Sequence, residues 1–485
     1  MKLLSKVAVV IAIALFLFNS CSKDSIMPEE PDNKLPLQFD PSQDIVLINH
    51  ELRGAWVTTA WKLDWPGNIT DLNAQREQLI YLIDNLHKQN INVIFFQVMT
   101  SCEAFYKSDI FPWSAYLTNE QGRDPGYDPL RVAIDAAHER GMEVHAWMNP
   151  LRVGSVNTQN ISSHPAVKYP ERYCVYKNVR YWNAGLPEVR DFLADAVKEI
   201  IYRYNVDGIH FDDYFYPDGL RASTLEWDDS KSFAKYGGSL DIHSWREKNI
   251  DLMVQRVYNA VKEANEDVIF GISPSGRREN SIALYADPVS WLNNRWIDYL
   301  APQLYWQIGH PTADFYSLST FWNSRSNSIP IFPGIAAYRL GETGFPSVLE
   351  FTNQIELGRT LPNLKGNIWF RTEHILKEPL RSHIKGTLYK YPSLVAPLGK
   401  DANLNIEAPT LSFKGNLQIE ASSNLNDVDF IFYKLERIDL TNRWRAQLVQ
   451  QGKDNTFRGE KNVNYIGVVK KNRAISNHSS VVYIN

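Results

Sequence analysis

The sequence predicts an α/β protein, a (β/α)8 TIM barrel followed by a small C-terminal β-sandwich. Short apolar runs and amphipathic helical patterns alternate eight times between Leu52 and Tyr391, which fits a barrel with enlarged βα loops. The first apolar run is not followed by the Gly-rich turn of a doubly wound sheet. Beyond Tyr391 the helical pattern stops, and short alternating runs indicate a sandwich of the fibronectin type III or immunoglobulin kind.

Each element is predicted from its hydrophobic period, which is two residues in strands and 3.6 in helices. The predicted barrel strands are residues 52–61, 92–100, 143–153, 207–217, 268–275, 297–306, 330–339 and 365–374. The predicted helices between them include residues 71–89, 129–140, 187–204, 242–264 and 347–360. The C-terminal runs are residues 417–421, 429–437, 445–450, 464–470 and 480–484.

A chain of 485 residues, 44% hydrophobic and 22% charged, has enough apolar material for two or three globular domains. We predict a signal peptide over residues 1–21, a flexible tether over 22–44, the barrel over 45–395 and the sandwich over 396–485. The formal net charge of -4 offers no basic surface for nucleic acid, and we expect a monomer. The 14 Trp and 24 Tyr residues suit stacking on sugar rings, although large barrels also bury many aromatic residues.

The first 21 residues have the layout of a bacterial export signal. Lys2 and Lys6 precede an apolar run over residues 7–18 that is short for a transmembrane helix, and Ser20 and Cys21 follow. A small residue before a cysteine resembles a lipobox, which predicts cleavage before Cys21 and lipidation of its thiol and amino group. We therefore expect a lipid-anchored protein of the cell envelope, at the outer membrane, with the side of the membrane left open. Ordinary secretion is the alternative.

Two further cysteines, Cys102 and Cys174, could be joined in an exported protein, and the sequence leaves their pairing open. No Cys/His spacing indicates zinc, so no metal or cofactor is expected.

Strand alternation sorts the polar residues between the two faces of the barrel. In the fourth strand Ile209 and Phe211 should face the helices, which turns His210, Asp212 and Tyr214 toward the lumen. Active sites of such barrels lie at the carboxyl ends of the strands, where these residues fall. The residues predicted to contact a substrate are Gln97, His145, Asn149, Arg152, His210, Tyr214, Gln303, Tyr305, Trp306 and Arg371. A neutral barrel histidine is the alternative role for His145 and His210, and Trp306 has the helix-facing parity.

Glycosidic bonds are typically cleaved by one carboxylic acid that protonates the leaving oxygen and a second carboxylate. Asp212 and Glu373 are predicted to face each other across the barrel, at a separation nearer the inverting range of ~6.5–9.5 Å. Asp212 is predicted as the general acid or its close partner, and Asp213, Glu373 and Glu103 are candidates for the second carboxylate. Each has a structural alternative: a helix cap or ion pair for Asp213, an ion pair with an arginine for Glu373, and a solvated loop charge for Glu103.

Six stretches together resemble the bacterial glycoside-hydrolase-like 10 family. They are LRGAWVTTAWKLDWP (52–66), INVIFFQV (91–98), DPGYDPLRVAIDAAHERGMEVHAWMNPLRV (124–153), VDGIHFDDYFYP (206–217), IDYLAPQLYW (297–306) and WFRTEHI (369–375). The resemblance covers the barrel in order and omits the C-terminal module. It implies a metal-independent glycosidase of N-acetylhexosamine polymers, similar to an enterobacterial envelope lipoprotein that hydrolyses peptidoglycan strands stripped of their peptides.

The sequence departs from related patterns at two points. After the second strand the family usually has a basic residue, Pro, Gly and an acid, whereas this chain has residues 99–103, MTSCE, with Glu103 in the acidic role. The DGIHFDDY segment resembles the fourth strand of chitinase-type barrels, whose catalytic Glu falls at Tyr214 here, which argues against their substrate-assisted mechanism. A non-catalytic glycan-binding lipoprotein and a surface glycosidase for dietary or host polysaccharide remain alternatives. The glycosidic bond that is cut and the endo or exo mode are left open.

Overall fold

The computed structural model describes residues 38–222, 227–400, 404–438 and 442–485. Cys21, the predicted signal peptide and the first part of the predicted tether therefore lie outside the described residues. Residues from Gln38 to Asn485 form one compact unit. Within this part of the chain, no helix combines the length and the apolar character needed to cross a membrane.

Eight parallel strands close into a barrel in chain order. They are β1 (Leu52–Val57), β2 (Val93–Thr100), β3 (Glu143–Met148), β4 (Gly208–Phe211), β5 (Ile269–Ile272), β6 (Tyr299–Leu300), β7 (Gly334–Ala336) and β8 (Gly366–Phe370). Each strand lies beside the next, β8 pairs with β1, and bridges at Leu300–Ile331 and Gln303–Gly334 join β6 to β7. The predicted (β/α)8 fold is confirmed.

The barrel helices lie between successive strands. They are α1 (Leu72–Lys88), α2 (Pro129–His138), α3 (Pro187–Arg203), α4 (Ile242–Ala264), α5 (Pro288–Asn294), α6 (Phe315–Arg325) and α7 (Leu349–Thr360). Aspartates cap several of their amino ends; the side chains of Asp71 and Asp128 accept hydrogen bonds from the backbone N–H of Ala74 and Arg131. Such caps satisfy N–H groups that have no partner inside the helix, and they explain why the predicted starts are accurate.

The strands are shorter than predicted, mostly at their carboxyl ends. β4 ends at Phe211 and not at residue 217, and β6 contains only Tyr299 and Leu300. The alternation of polar and apolar residues continues beyond the last ladder hydrogen bond, because loops at this end also line the lumen. Periodicity alone therefore cannot mark where a barrel strand ends.

Two separate apolar layers hold the barrel together. The larger layer lies between strands and helices and contains Ile209 and Phe211, as their parity predicted. The smaller one fills the lumen with residues such as Trp56, Phe95 and Tyr299. Gly271 makes room for this filling, because a Cβ at that position would lie 2.1 Å from the Tyr299 ring. The barrel is thus a packed core that is open to a ligand only at its rim.

Short elements in the loops build the walls above the carboxyl ends of the strands. The loop strands are Glu103–Ala104, Arg152–Ser155, Tyr173–Tyr176 and Val179–Trp182, of which the last three form one antiparallel sheet. The short helices are Ala115–Thr118, Pro165–Lys168, Ser230–Tyr236, Arg278–Ala283, Thr372–Ile375 and Leu380–His383. Cys102 and Cys174 in these loops are buried free thiols, and burial raises the pKa of each to about 12.

The described C-terminal residues form a two-sheet sandwich. Its strands are β9 (Thr410–Gly415), β10 (Gln418–Ser422), β11 (Asp429–Arg437), β12 (Arg443–Gly452), β13 (Thr456–Arg458), β14 (Val463–Lys471), β15 (Ala474–Ile475) and β16 (Val482–Ile484). β9, β10 and β13 form one sheet, and the other strands form the second around β11 and β14. Ile419, Phe432 and Tyr465 belong to the apolar cluster between the sheets. The sequence missed β9, β13 and β15; β13 and β15 are very short, and β9 is largely exposed.

The first described residues belong with this sandwich and not with the barrel or a tether. Ile45–Leu47 pairs in parallel with the edge strand β12, and the ring of Phe39 contacts that of Trp444 edge-on, at a centroid distance of 5.9 Å. Residues 38–44 were predicted as flexible tether and residues 45–47 as barrel. The difference arises because a free sheet edge offers N–H and C=O partners to a segment about 400 residues distant, which no local pattern reveals.

A turn of the sandwich inserts under the barrel, at the amino ends of β3, β4 and β5. Arg473, between β14 and β15, donates to a Glu143 carboxylate oxygen at 2.9 Å and to the carbonyl oxygens of Asp207 and Asp267. Both side chains of the Arg473–Glu143 pair are buried. The sandwich therefore closes the end of the barrel opposite the active-site rim.

Candidate active site

A cleft of about 320 Å³ opens at the carboxyl ends of the barrel strands. Its aromatic lining consists of Trp56, Trp61, Tyr116, Trp147, Tyr214, Tyr305 and Phe370. Its amide and charged lining consists of Gln97, Asn149, Arg152, Asp212, Asp213 and Gln303. Flat aromatic walls with a few convergent polar groups are the usual composition of a binding site for a polar ring such as a sugar.

Asp212 lies on the floor of the cleft, one residue after the end of β4. One carboxylate oxygen accepts hydrogen bonds from the Trp147 indole N–H at 3.1 Å and from the Asn149 side-chain amide, and the other accepts from the Tyr214 backbone N–H at 3.2 Å. Burial raises the pKa of Asp212 well above its usual value, and the neighbouring charge of Asp213 raises it further. The three hydrogen bonds act in the opposite direction and hold the carboxylate in one orientation.

Asp213 lines the same cleft, although strict alternation would turn it away from Asp212. The strand has ended, and a tight turn from the Phe215 N–H to the Asp213 carbonyl, at 2.9 Å, redirects the chain. Asp213 is more exposed than Asp212 and also lines an adjoining pocket that contains Asp218. Burial raises the pKa of Asp213, and a hydrogen bond with Gln303 partly opposes that rise. Because two adjacent carboxylates repel each other, ionisation of one opposes ionisation of the other.

The side-chain amide of Asn149 is oriented by a series of hydrogen bonds that begins in the loop after β1. The Gln97 side-chain oxygen accepts from the backbone N–H groups of Thr59 and Ala60 at 2.9 and 2.8 Å. Its NH2 group therefore donates to the Asn149 oxygen, at 2.8 Å, which leaves the Asn149 NH2 group facing Asp212. The sequence predicted inward positions for Gln97 and Asn149 but not that they act in series on one carboxylate.

His145 and His210 lie below the cleft, in the barrel lumen, and were predicted as substrate contacts. The Trp56 indole N–H, which can only donate, binds the His210 Nε2 atom at 3.2 Å, so the His210 Nδ1–H donates to the Tyr299 hydroxyl at 2.9 Å. That hydroxyl in turn donates to His145 Nδ1 at 2.9 Å, and His145 Nε2 lies 3.7 Å from Glu143. Burial lowers the pKa of both histidines, so both are neutral and position Trp56 from below.

At the rim of the cleft, Arg152 makes cation–π contacts with two aromatic side chains. The Arg152 guanidinium lies 5.5 Å from the centre of the Trp61 ring and 5.2 Å from that of Tyr214. Trp61 is 61% exposed. Trp61 was not predicted as a site residue, because the pattern placed it at the end of the first strand. Its presence in the LRGAWVTTAWKLDWP stretch was the available signal. Tyr305, which was predicted, stacks on Phe370 at 5.7 Å in the cleft wall.

Glu373 does not face Asp212. The chain enters the helix Thr372–Ile375 directly after β8, and the Glu373 carboxylate pairs there with Arg371 and Lys377 on a partly exposed surface. Lys377 lowers the pKa of Glu373, and Arg371 also binds Asp64 at 3.0 Å. Glu373 and Arg371 are therefore absent from the cleft lining. The structure therefore does not bring Glu373 together with Asp212 in the cleft, and the separation predicted for that pair does not apply to the carboxylates that line it.

Glu103 and Trp306 also lie outside the cleft lining. The Glu103 carboxylate accepts from the Ala115 backbone N–H at 2.8 Å and from the Gln121 side-chain amide at 2.6 Å, so it orders the loop that carries the short helix there. Trp306 accepts a hydrogen bond from Gln354 through its carbonyl oxygen and packs near His310, in keeping with its helix-facing parity.

A closed (β/α)8 barrel with carboxyl groups in an aromatic-lined cleft at the carboxyl ends of its strands is an architecture that glycoside hydrolases use. The model of the glycosyl hydrolase-like 10 family matches residues 51–347. The chain belongs to this family, and it is an enzyme of the glycoside hydrolase class.

Two relatives agree with this assignment in their names. Glycosyl hydrolase YngK of Bacillus subtilis is 34% identical over 377 residues, which are 72% of this chain and 73% of that protein. Glycosyl hydrolase DigH of Escherichia coli K12 is 33% identical over 426 residues, which cover 76% of this chain and 93% of that protein. The PgaB (BpsB) glycoside hydrolase domain from Bordetella bronchiseptica has 13% identity, covers 70% of this chain and 98% of that domain, and gives a TM-score of 0.45.

Proposed function

We propose that this protein hydrolyses glycosidic bonds in a bacterial envelope glycan, with peptidoglycan strands that lack peptides as the first candidate. The observation that carries the proposal is the Asp212–Asp213 pair on the floor of an aromatic-lined cleft. Membership of the glycosyl hydrolase-like 10 family supports the reaction class, and the resemblance of six sequence stretches to envelope hydrolases of that family supports the substrate.

In the proposed reaction Asp213 is the general acid. It is the more exposed of the two carboxyl groups, so it can reach the glycosidic oxygen, and its raised pKa keeps it protonated at higher pH than an ordinary aspartic acid. Asp212 receives three N–H hydrogen bonds, which stabilise the anionic form. Burial raises the pKa of Asp212 even more than that of Asp213, but the three donors suit an anion, so in this proposal the negative charge of the pair lies on Asp212 and the proton on the more accessible Asp213.

The location of the enzyme is part of the same proposal. The basic start, the apolar run over residues 7–18 and the Ser20-Cys21 pair support export followed by lipidation of Cys21. Anchoring at the outer membrane would hold the cleft next to envelope glycan. Replacement of Cys21 by Ala should move the protein from the membrane fraction to the soluble fraction and abolish incorporation of a labelled fatty acid. Retention in the membrane fraction would contradict the anchor.

The test of the activity is reducing-end release from purified peptide-free peptidoglycan strands. The wild-type enzyme should release reducing ends, and D212N and D213N should each lose at least ~100-fold in kcat, the range expected for an acid catalyst. E373Q is the matched control, since Glu373 is a carboxylate at the same end of the barrel but outside the cleft. Circular dichroism checks that each variant folds.

The alternatives separate in the same assay. Tight binding without any reducing-end release would favour a glycan-binding scaffold. Activity confined to a panel of dietary or host polysaccharides would favour a surface enzyme for those polymers. Equal activity in the wild type and D213N would remove Asp213 from the mechanism.

A further inference from the structure

The cleft presents its carboxylates from one side only. Asp212 and Asp213 are the only carboxylates among the described residues that line it, because Glu103 and Glu373 are held by other partners outside it. Glycosidases with two catalytic carboxylates place them on either side of the scissile bond, ~5 Å apart when retaining and ~6.5–9.5 Å apart when inverting. Two consecutive residues after one strand reach a sugar from the same side, so the attacking group has to come from elsewhere.

The two carboxyl groups also lie in different surroundings, which suits two different tasks. Asp212 is buried and is oriented by Trp147, Asn149 and the Tyr214 N–H. An ionised carboxylate has about four acceptor sites, so three donors leave Asp212 able to accept one more. Asp213 is more exposed; burial raises its pKa, and hydrogen bonds with the Gln303 side chain and its own backbone N–H partly oppose that rise. Asp212 is therefore built to hold an N–H donor in place, and Asp213 to meet the leaving oxygen.

Tyr305 supplies a hydroxyl to the same place. Its ring lines the cleft, and the charges of Asp212 and Asp213 are close enough to raise its pKa further, after burial, so the hydroxyl stays protonated. That hydroxyl makes no hydrogen bond to any of the residues described by the structure, so it is available as a donor to a ligand carbonyl. Trp147 and Phe370 add apolar surface that would suit a methyl group. A carboxylate, a hydroxyl donor and an apolar wall are together complementary to an acetamido group, CH3–CO–NH–.

We propose that the nucleophile is the 2-acetamido group of the substrate itself, with Asp213 as general acid and Asp212 as the acceptor of the acetamido N–H. This inference rests on the proposed glycosidase function and names its substrate class, a glycan with a 2-acetamido sugar on the non-reducing side of the bond that is cut. Position 214 holds Tyr and not the catalytic Glu of chitinase-type barrels. The turn after β4 nevertheless brings an acid into the cleft one residue earlier, at Asp213.

The two steps balance as a simple hydrolysis. In the first, the acetamido oxygen bonds to the anomeric carbon, the bond from that carbon to the glycosidic oxygen breaks, and the Asp213 proton passes to the leaving oxygen. The resulting oxazolinium ion keeps its N–H on the Asp212 carboxylate. In the second step Asp213 takes a proton from water, the water oxygen bonds to the anomeric carbon, and the ring opens to restore the acetamido group. Two displacements at one carbon retain its configuration.

The experiment uses the full-length enzyme with peptide-free glycan strands, the same strands after chemical de-N-acetylation, and the thiazoline of N-acetylglucosamine as an inhibitor. The acetylated strands should be cleaved with retention, seen by NMR of the first product anomer. The de-N-acetylated strands should be cleaved at least ~100-fold more slowly. The thiazoline mimics the bicyclic intermediate and should bind at least ~100-fold more tightly than N-acetylglucosamine.

Two variants assign the roles. D212N should lower kcat on every acetamido substrate. In D213N the loss in kcat/KM should largely disappear on the 4-nitrophenyl glycoside of N-acetylglucosamine, because kcat/KM reports the first step and this leaving group needs no acid, whereas kcat should stay low because Asp213 is also the base of the second step. E373Q should behave as the wild type in both assays.

The outcomes separate this inference from the proposed function. Cleavage with inversion, equal cleavage of de-N-acetylated strands, or a glycosyl ester trapped on any carboxylate would overturn the acetamido mechanism and leave the glycosidase function standing. Failure to cleave any glycan would overturn both.

Discussion

The buried ion pair between Arg473 and Glu143 should be a major contributor to stability, although it lies at the opposite end of the barrel from the active-site cleft. The Arg473 guanidinium contacts the carboxylate at 2.9 Å and donates to two backbone carbonyl oxygens, and the side chains are only 9% and 10% exposed. R473M keeps most of the side-chain volume but leaves Glu143 buried without this partner. Breaking a buried ion pair in this way costs about 3–5 kcal/mol of unfolding free energy.

The pH dependence provides a second check. Burial raises the pKa of Glu143, but the charge of Arg473, aided by contacts with His145 and the charge of Lys470, outweighs that effect and holds the pKa below its ordinary value. A carboxylate with a lowered folded-state pKa stabilises the protein above its unfolded pKa of ~4.3, and the contribution is lost as the pH falls further. The deficit of R473M relative to the wild type should therefore be largest near neutral pH and should shrink in acid.

The measurement is urea unfolding followed by tryptophan fluorescence, with the earliest transition taken as the observable because a chain of this size need not unfold in one step. K400M is the matched control, since Lys400 pairs with Glu266 and Asp267 at an exposed site and should have little effect. The double variant R473M/E143Q removes the unpaired charge and should recover part of the loss. A loss in R473M below about 1 kcal/mol, the range of surface pairs, would refute the reasoning.

Three further predictions concern the cleft. W61A should raise KM on long glycan strands about 2–10-fold and leave kcat unchanged. The exposed indole offers a stacking surface worth about 0.5–1.5 kcal/mol and supports no buried structure. A fall in kcat with an unchanged KM would argue against a binding role for Trp61. E373Q should keep kcat within about twofold of the wild type, since its exposed pairs with Arg371 and Lys377 contribute little and touch no substrate. kcat/KM should decrease on the alkaline side of its pH profile at a pH above the ordinary pKa of an aspartic acid. The reason is that Asp213 must be protonated to act as the acid, and burial raises its pKa. A decrease that begins near pH ~4 would contradict the role of Asp213 as the acid.

The fold could be predicted from local patterns because those patterns repeat. α4 runs from Ile242 to Ala264 as its period indicated, and each predicted barrel strand contains the observed one. The pairing of Ile45–Leu47 with β12 could not be predicted in this way, since it joins segments about 400 residues apart and depends on a free edge that exists only in the folded sandwich.

The candidate site was predicted in part. Alternation along β4 turned Asp212 inward, and the same rule applied to β3 turned Asn149 toward it. The rule did not apply to Asp213 or Glu373, because each follows the last ladder hydrogen bond of its strand. Beyond that point a turn directs Asp213 into the cleft, and a helix carries Glu373 out to Lys377.

By itself the sequence determined that a barrel forms and which strand residues face its lumen, since hydrophobic period acts over a few neighbouring residues and needs no knowledge of the rest of the chain. Tertiary structure alone decided which carboxylates meet in the cleft and which partners orient them. The direction of a side chain beyond a strand end depends on loop geometry and on remote groups such as Trp147 and Asn149, which only the closed barrel brings within hydrogen-bond distance.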